Sequence, residues 1–149
     1  MVLTAQPIVM AIVAPISGAL SDRIGSRAPA TIGMLGLAIG LFLIAHFADG
    51  GSLPAIAASL AVVGLGIGIF VSPNNSALMG AAPRHRQGIA AGVLATARNV
   101  GMVLGIGISG AVFTTVLAHG GTLVRGVQDS LYVVVGVALC GAVTAFVRE

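Results

Sequence analysis

Five apolar runs, each long enough to cross a membrane as a helix, decide what this chain can fold into. They cover Val2–Leu20, Ala30–Phe47, Leu53–Val71, Gly88–Ala118 and Ser130–Val147. Crossing about 30 Å of hydrocarbon takes roughly 20 helical residues. Only 7% of the 149 residues are charged and 57% are hydrophobic, whereas a soluble domain of this size carries about a quarter of its residues as Asp, Glu, Lys and Arg. So little polar surface leaves lipid as the solvent for most of the chain. Backbone groups in lipid must bond within their own segment or within a closed barrel. The Gly64–Gly68 alternation looks strand-like but lacks the polar register of a barrel strand. The expectation is therefore an all-α membrane protein with five transmembrane helices. The connectors fall at Ser21–Pro29, Ala48–Ser52, Ser72–Gln87 and His119–Asp129, each marked by Gly or Pro.

The arginines orient these spans. The first and third connectors and the C-terminus hold Arg23, Arg27, Arg84, Arg86 and Arg148, while the second and fourth hold only Arg125. By the positive-inside rule the first group is cytoplasmic. That puts the N-terminus outside and the C-terminus in the cytoplasm after five crossings. No basic leader precedes the first run, so Met1 and Val2 do not read as a signal peptide. An odd number of spans and an abrupt start lead to the expectation of a piece of something longer.

Several functions find no residues to support them. The net charge of +3 comes from arginines at run ends, singly or in pairs, with no basic stripe, so no nucleic-acid partner is expected. A lone Cys140 excludes an intrachain disulfide and a cysteine-based metal site. His46, His85 and His119 lie in separate places without metal-ligand spacing. There is no Ser-His-Asp arrangement and no embedded carboxylate pair, so neither enzyme activity nor a cofactor is expected. Gly105–Gly110 matches G-x-G-x-x-G, with Asp129 about twenty residues on. That dinucleotide fingerprint requires a strand before it and a helix after it, and here it lies inside one continuous apolar run.

The most informative charged segment is Gly18-Ala-Leu-Ser-Asp-Arg-Ile-Gly-Ser-Arg27. Gly18, Leu20, Asp22, Arg23, Gly25 and Arg27 fit the pattern G-x-L-[SA]-D-R-x-G-x-R, and the segment resembles the short cytoplasmic loop of the major facilitator superfamily of membrane transporters. A second set sharpens the likeness: Pro73-Asn-Asn-Ser-Ala-Leu-Met-Gly80, Arg86-Gln-Gly-Ile-Ala-Ala-Gly92, Thr96-Ala-Arg-Asn-Val-Gly101 and Gly105-Ile-Gly-Ile-Ser109. These look like the C-terminal region of the fourteen-span drug:proton antiporters. The resemblance implies two six-helix halves, with the five spans forming most of the C-terminal half. It implies a multi-pass protein of the cell's inner (plasma) membrane. Its partners would be the lipid bilayer, a small-molecule substrate, protons and the missing N-terminal half. It also implies that Gly18, Asp22, Arg23, Gly25 and Arg27 form a gating loop that latches one half against the other. The bland alternative is a solvated turn whose charges only set orientation.

Three further residues are candidates for a substrate pathway. Arg98 is the only ionisable residue well inside a run; an arginine there costs on the order of 2.5–3.5 kcal/mol on the insertion scale, so it normally faces protein or water. It could line a cavity and contact substrate or a carboxylate, bond backbone carbonyls or the loop, or snorkel to the cytoplasmic edge. Asn74 and Asn75 could face the pathway or bond carbonyls freed at a helix end. Gly36/Gly40, Gly64/Gly68, Gly88/Gly92 and Gly101/Gly105 are small pairs that let helices approach closely. Pro7 and Pro15 are expected to bend the first span. Every acid (Asp22, Asp49, Asp129, Glu149) sits near a run end, so a proton-coupling carboxylate would belong to the missing half. The function these features imply is proton-coupled efflux of amphipathic organic molecules by alternating access. The rival is a non-transporting five-helix membrane protein or the inert product of a truncated gene.

Overall fold

The computed structural model describes residues 4–147, and all regular structure among them is helical. The helices are α1 (Ala5–Ile24), α2 (Arg27–Phe47), α3 (Leu53–Ala81), α4 (Gln87–Ala118) and α5 (Leu123–Val147), with a single 3-10 turn at Arg84–Arg86. All five are long and apolar enough to cross a membrane, the fourth with its 3-10 turn included. Val2, the expected start of the first span, and Arg148 lie outside the described residues.

The helices outrun the apolar runs, and the connectors shrink. Ser21–Ile24 continue α1, and Arg27–Pro29 open α2, so the first connector is only Gly25 and Ser26. The fourth connector loses Leu123–Asp129 to α5. Hydropathy marks where lipid gives way to water, not where backbone bonding stops, and Asp, Arg and Gln continue a helix once water replaces lipid. Gly25 ends α1 at φ 86°, a conformation that only glycine adopts without strain, and its N–H donates to the Ser21 carbonyl at 2.9 Å. Pro7 falls in the first turn of α1, where its missing donor breaks no bond; only Pro15 lies in the helix interior.

The third helix departs furthest from expectation. It runs ten residues past Val71, straight through Pro73, so Asn74 and Asn75 are mid-helix and cap nothing. Pro73 has no N–H to give the carbonyl four residues back, which is that of Ile69. The Ser17 hydroxyl of α1 donates to that same carbonyl at 2.9 Å. Pro73 is fully buried and Ser17 buried. A neighbouring helix thus supplies the bond that the proline removes, as a proline inside a membrane helix requires.

This pairing predicts coupling between the two residues. Ser17→Ala should destabilise the bundle by about 1 kcal/mol with Pro73 present, the size of an interhelical polar contact in membranes. In a Pro73→Ala background, where the backbone satisfies Ile69, the same change should cost little. Unfolding in mixed detergent micelles measures the cycle; equal losses in both backgrounds would separate the serine from the proline.

Contacts run in the order α1, α3, α2, α5, α4, with α3 between α1 and α2 and α5 between α2 and α4. The buried apolar residues are small: Ala30, Ala38, Ala45, Val63, Ala138 and Ala142. Large side chains point outward, with Ile106 74% and Val103 70% exposed. This inverts the pattern of a water-soluble core and suits helices that gain only packing from association. A Cβ on Gly33 would lie 2.6 Å from the Phe70 nitrogen and 2.8 Å from the Gly66 carbonyl oxygen. Gly36 and Gly40 meet Gly66 and Val63, and Gly64 and Gly68 meet the Gln6 backbone and Val13 of α1. Those two pairs pack as expected. Gly88/Gly92 and Gly101/Gly105 do not: nothing lies within 4 Å of where their Cβ atoms would be. They belong to α4, which has no buried residue and packs mainly on α5.

Candidate functional site

The charged hairpin divides into parts with different surroundings. Gly18 sits where α1 crosses α3; a Cβ there would meet the Ser72 hydroxyl oxygen at 2.7 Å. Asp22 and Arg23 occupy the last turn of α1 and are exposed. Gly25 makes the turn. Arg27 opens α2 and lays its guanidinium over the Phe146 ring of α5, 5.1 Å from the centroid, a cation–π contact. The backbone carbonyl of Arg27 accepts from the Thr31 hydroxyl at 3.0 Å.

Behind Arg27 lies a cavity of about 590 Å³ between the start of α2, the second half of α3 and the end of α5. Gly25, Arg27, Met34, Phe70, Asn74 and Thr144 line it. The fold therefore brings Gly25 and Arg27 of the hairpin to the same cavity as Asn74, forty-nine positions from Gly25 along the chain. This happens because α3 continues through Pro73 far enough to reach the level of the turn. Asn75, the next residue of α3, is half-buried. Arg98 lies elsewhere, exposed on α4, and does not share the cavity.

Polar side chains that sequence reasoning passed over tie the helices together. Gln128 Nε2 donates to the Ala45 carbonyl at 3.0 Å, joining α5 to α2. The Ser130 hydroxyl lies 3.0 Å from the Ser109 carbonyl of α4 and 2.8 Å from its own Gly126 carbonyl. Every buried side-chain nitrogen and oxygen among the described residues has a partner. Ser130 opens an apolar run and Gln128 lies in the connector just before it; their partners left no signal, because the bonds go to backbone carbonyls that any sequence supplies. The grouping holds no set of three or more His, Cys, Asp or Glu among the described residues that could take a metal. What it offers instead is a guanidinium, an amide and a hydroxyl around a largely apolar space.

Proteins of other species resemble much of this chain. The chain is 34% identical over 118 residues to a riboflavin transporter, RibZ, of Clostridioides difficile, covering 79% of this chain and 26% of that protein. It is 40% identical over 114 residues to a triacylglyceride transporter of Mycolicibacterium smegmatis, covering 70% and 20%. It is 31% identical over 109 residues to the multidrug resistance protein Stp of Mycobacterium tuberculosis, covering 73% and 20%. The chain thus spans about a fifth to a quarter of the length of these curated relatives. All of its residues, 1–149, match the model of the Major Facilitator Superfamily. With five long apolar helices, a multi-pass membrane architecture and relatives named as transporters rather than enzymes, this chain belongs to the Major Facilitator Superfamily.

Proposed function

We propose that these helices form most of the C-terminal half of a proton-coupled exporter of amphipathic organic molecules, working by alternating access. The observation that carries this reading is the hairpin: a two-residue turn with Asp22 and Arg23 exposed beside it, on a helix locked to α3 by Ser17 and Gly18. Exposed charges at a helix end, held by a rigid helix pair, suit a latch against a second half. The names of the relatives, which span riboflavin, triacylglyceride and multidrug resistance, favour an organic substrate over an inorganic ion. In this reading Gly18, Asp22, Arg23, Gly25 and Arg27 form the gating loop. Asn74, Asn75 and Arg98 supply polar contacts toward the pathway. In this reading the coupling carboxylate belongs to the N-terminal half: Asp22 lies in the last turn of α1, Asp49 in the connector after α2, and Asp129, half-buried, in the second turn of α5. The membrane is the plasma membrane, with the hairpin on its cytoplasmic side.

The test is Asp22→Asn in the complete transporter, because it removes the charge without changing shape. Accumulation of a lipophilic cationic dye should rise several-fold in an efflux-deficient host at unchanged membrane abundance. Wild-type dye exclusion by the variant would reduce the hairpin to a solvated turn.

A further inference from the structure

The cavity behind Arg27 joins a cation without a counter-charge to an apolar interior. It lies at the end of the bundle where α1 stops, α2 starts and α5 nears its last turn. Arg27, Asn74 and Thr144 line it together with Ala30, Met34 and Phe70, and no Asp or Glu among the described residues does. The Arg27 side chain is exposed and its guanidinium lies over the Phe146 ring, a contact that spends none of its five N–H donors. The half-buried Asn74 amide has no hydrogen-bond partner among the described residues. The Thr144 hydroxyl donates to the Gly141 carbonyl at 2.8 Å, which leaves its oxygen as an acceptor. Next to the lining residues in sequence, Ile24, Val143 and Phe146 are each more than half exposed. The polar groups therefore sit among apolar side chains suited to lipid.

We propose that this cavity binds a bilayer phospholipid of one net negative charge, of the phosphatidylglycerol kind. Arg27 holds the phosphate oxygens through its N–H fork, and the Asn74 amide donates to one of them. The Thr144 oxygen accepts from a hydroxyl of the glycerol head. Size selects a lipid over a free anion, because a space of about 590 Å³ is that of a drug-sized ligand and far exceeds an inorganic phosphate. An acyl chain has use for the apolar surface of Met34 and Phe70, and a free phosphate has none. Charge selects an anionic lipid over a zwitterionic one: a single guanidinium answers a single phosphodiester, and an ammonium head finds no acid on the cavity wall. Basic pockets between membrane helices are a recognised seat for anionic heads. Asn74 then serves the lipid, and the polar contacts toward the pathway fall to Asn75 and Arg98. A bound lipid would also hold the start of α2, so that bilayer composition acts on the hairpin; that consequence rests on the gating reading above, whereas the binding site does not.

The experiment titrates the complete transporter, purified in a nonionic detergent, with dioleoyl phosphatidylglycerol or dioleoyl phosphatidylcholine and counts bound lipid by native mass spectrometry. The first phosphatidylglycerol should bind about tenfold more tightly than phosphatidylcholine, the scale of a charge-assisted hydrogen bond. Arg27→Gln, at an exposed position that leaves the fold intact, should bring the two lipids to near-equal affinity. Arg27→Lys should keep part of the preference, since it restores the charge without the fork. Ala77→Leu fills the cavity from α3 and leaves every charge in place; it should weaken phosphatidylglycerol binding several-fold. Equal binding of the two lipids by the unaltered protein, or a preference that survives Arg27→Gln, would overturn the site. Unchanged phosphatidylglycerol affinity in Ala77→Leu would move the lipid out of the cavity and overturn it too. Displacement of the lipid by millimolar inorganic phosphate would give the cavity to a free anion, against the proposal. Because the readout is lipid binding, its failure leaves the transport reading standing, and wild-type dye exclusion by Asp22→Asn leaves the lipid site standing.

Discussion

Gly33→Val should loosen the bundle by about 2–3 kcal/mol, at the upper end of what overpacking usually costs. The reason is geometric. At Gly33 the atoms within reach of a new Cβ are backbone: the Phe70 nitrogen at 2.6 Å and the Gly66 carbonyl oxygen at 2.8 Å. A flexible side chain could swing aside, but the α3 backbone can yield only by moving the helix. α2 and α3 are the central pair of the packing order, so separating them also disturbs the faces presented to α1 and α5. Gly92→Val on α4 is the matched control, since nothing lies within 4 Å of its Cβ position. Its effect should stay within about 0.5 kcal/mol. Unfolding of both variants by sodium dodecyl sulfate in mixed micelles, followed by circular dichroism, makes the comparison. Similar losses would mean that close α2–α3 approach contributes no more than helix propensity does.

The second large effect is all-or-none. Orientation rests on the arginine bias, which places the α1–α2 turn and the Arg84–Arg86 segment in the cytoplasm and the other two connectors outside. Single cysteines in a Cys140→Ser background report it through a membrane-impermeant maleimide on intact cells. Gly50 and Gly120 make poor reporters, because φ values of 78° and 80° would strain any other residue. Ser52 and Thr122 are exposed beside them and avoid that cost. Ser52→Cys and Thr122→Cys should label fully, while Ser26→Cys and His85→Cys should label only after permeabilisation. The opposite pattern would invert the protein in the membrane and move the hairpin away from the cytoplasm.

Sequence alone determined the fold class, the number of membrane-length helices and the family. Those depend on the length of apolar runs and on short charged patterns, which are local and leave a linear trace. Gly36/Gly40 and Gly64/Gly68 were legible for the same reason: small residues one turn apart announce close packing whatever the partner. The same signal at Gly88/Gly92 and Gly101/Gly105 met open space, because spacing says that a face is smooth and cannot say what lies against it. The tertiary structure decided the rest. It carried α3 through Pro73 with a hydroxyl from α1, turning an expected helix end into the wall of a cavity. It brought Arg27, Asn74 and Thr144 of three helices together there. It set Arg98 apart, exposed on α4, which has no buried residue and packs mainly on α5. Each outcome hangs on which helix stands beside which, and in lipid that choice is made by shape and by single polar bonds to backbone carbonyls. Neither leaves a periodicity along the chain to be read.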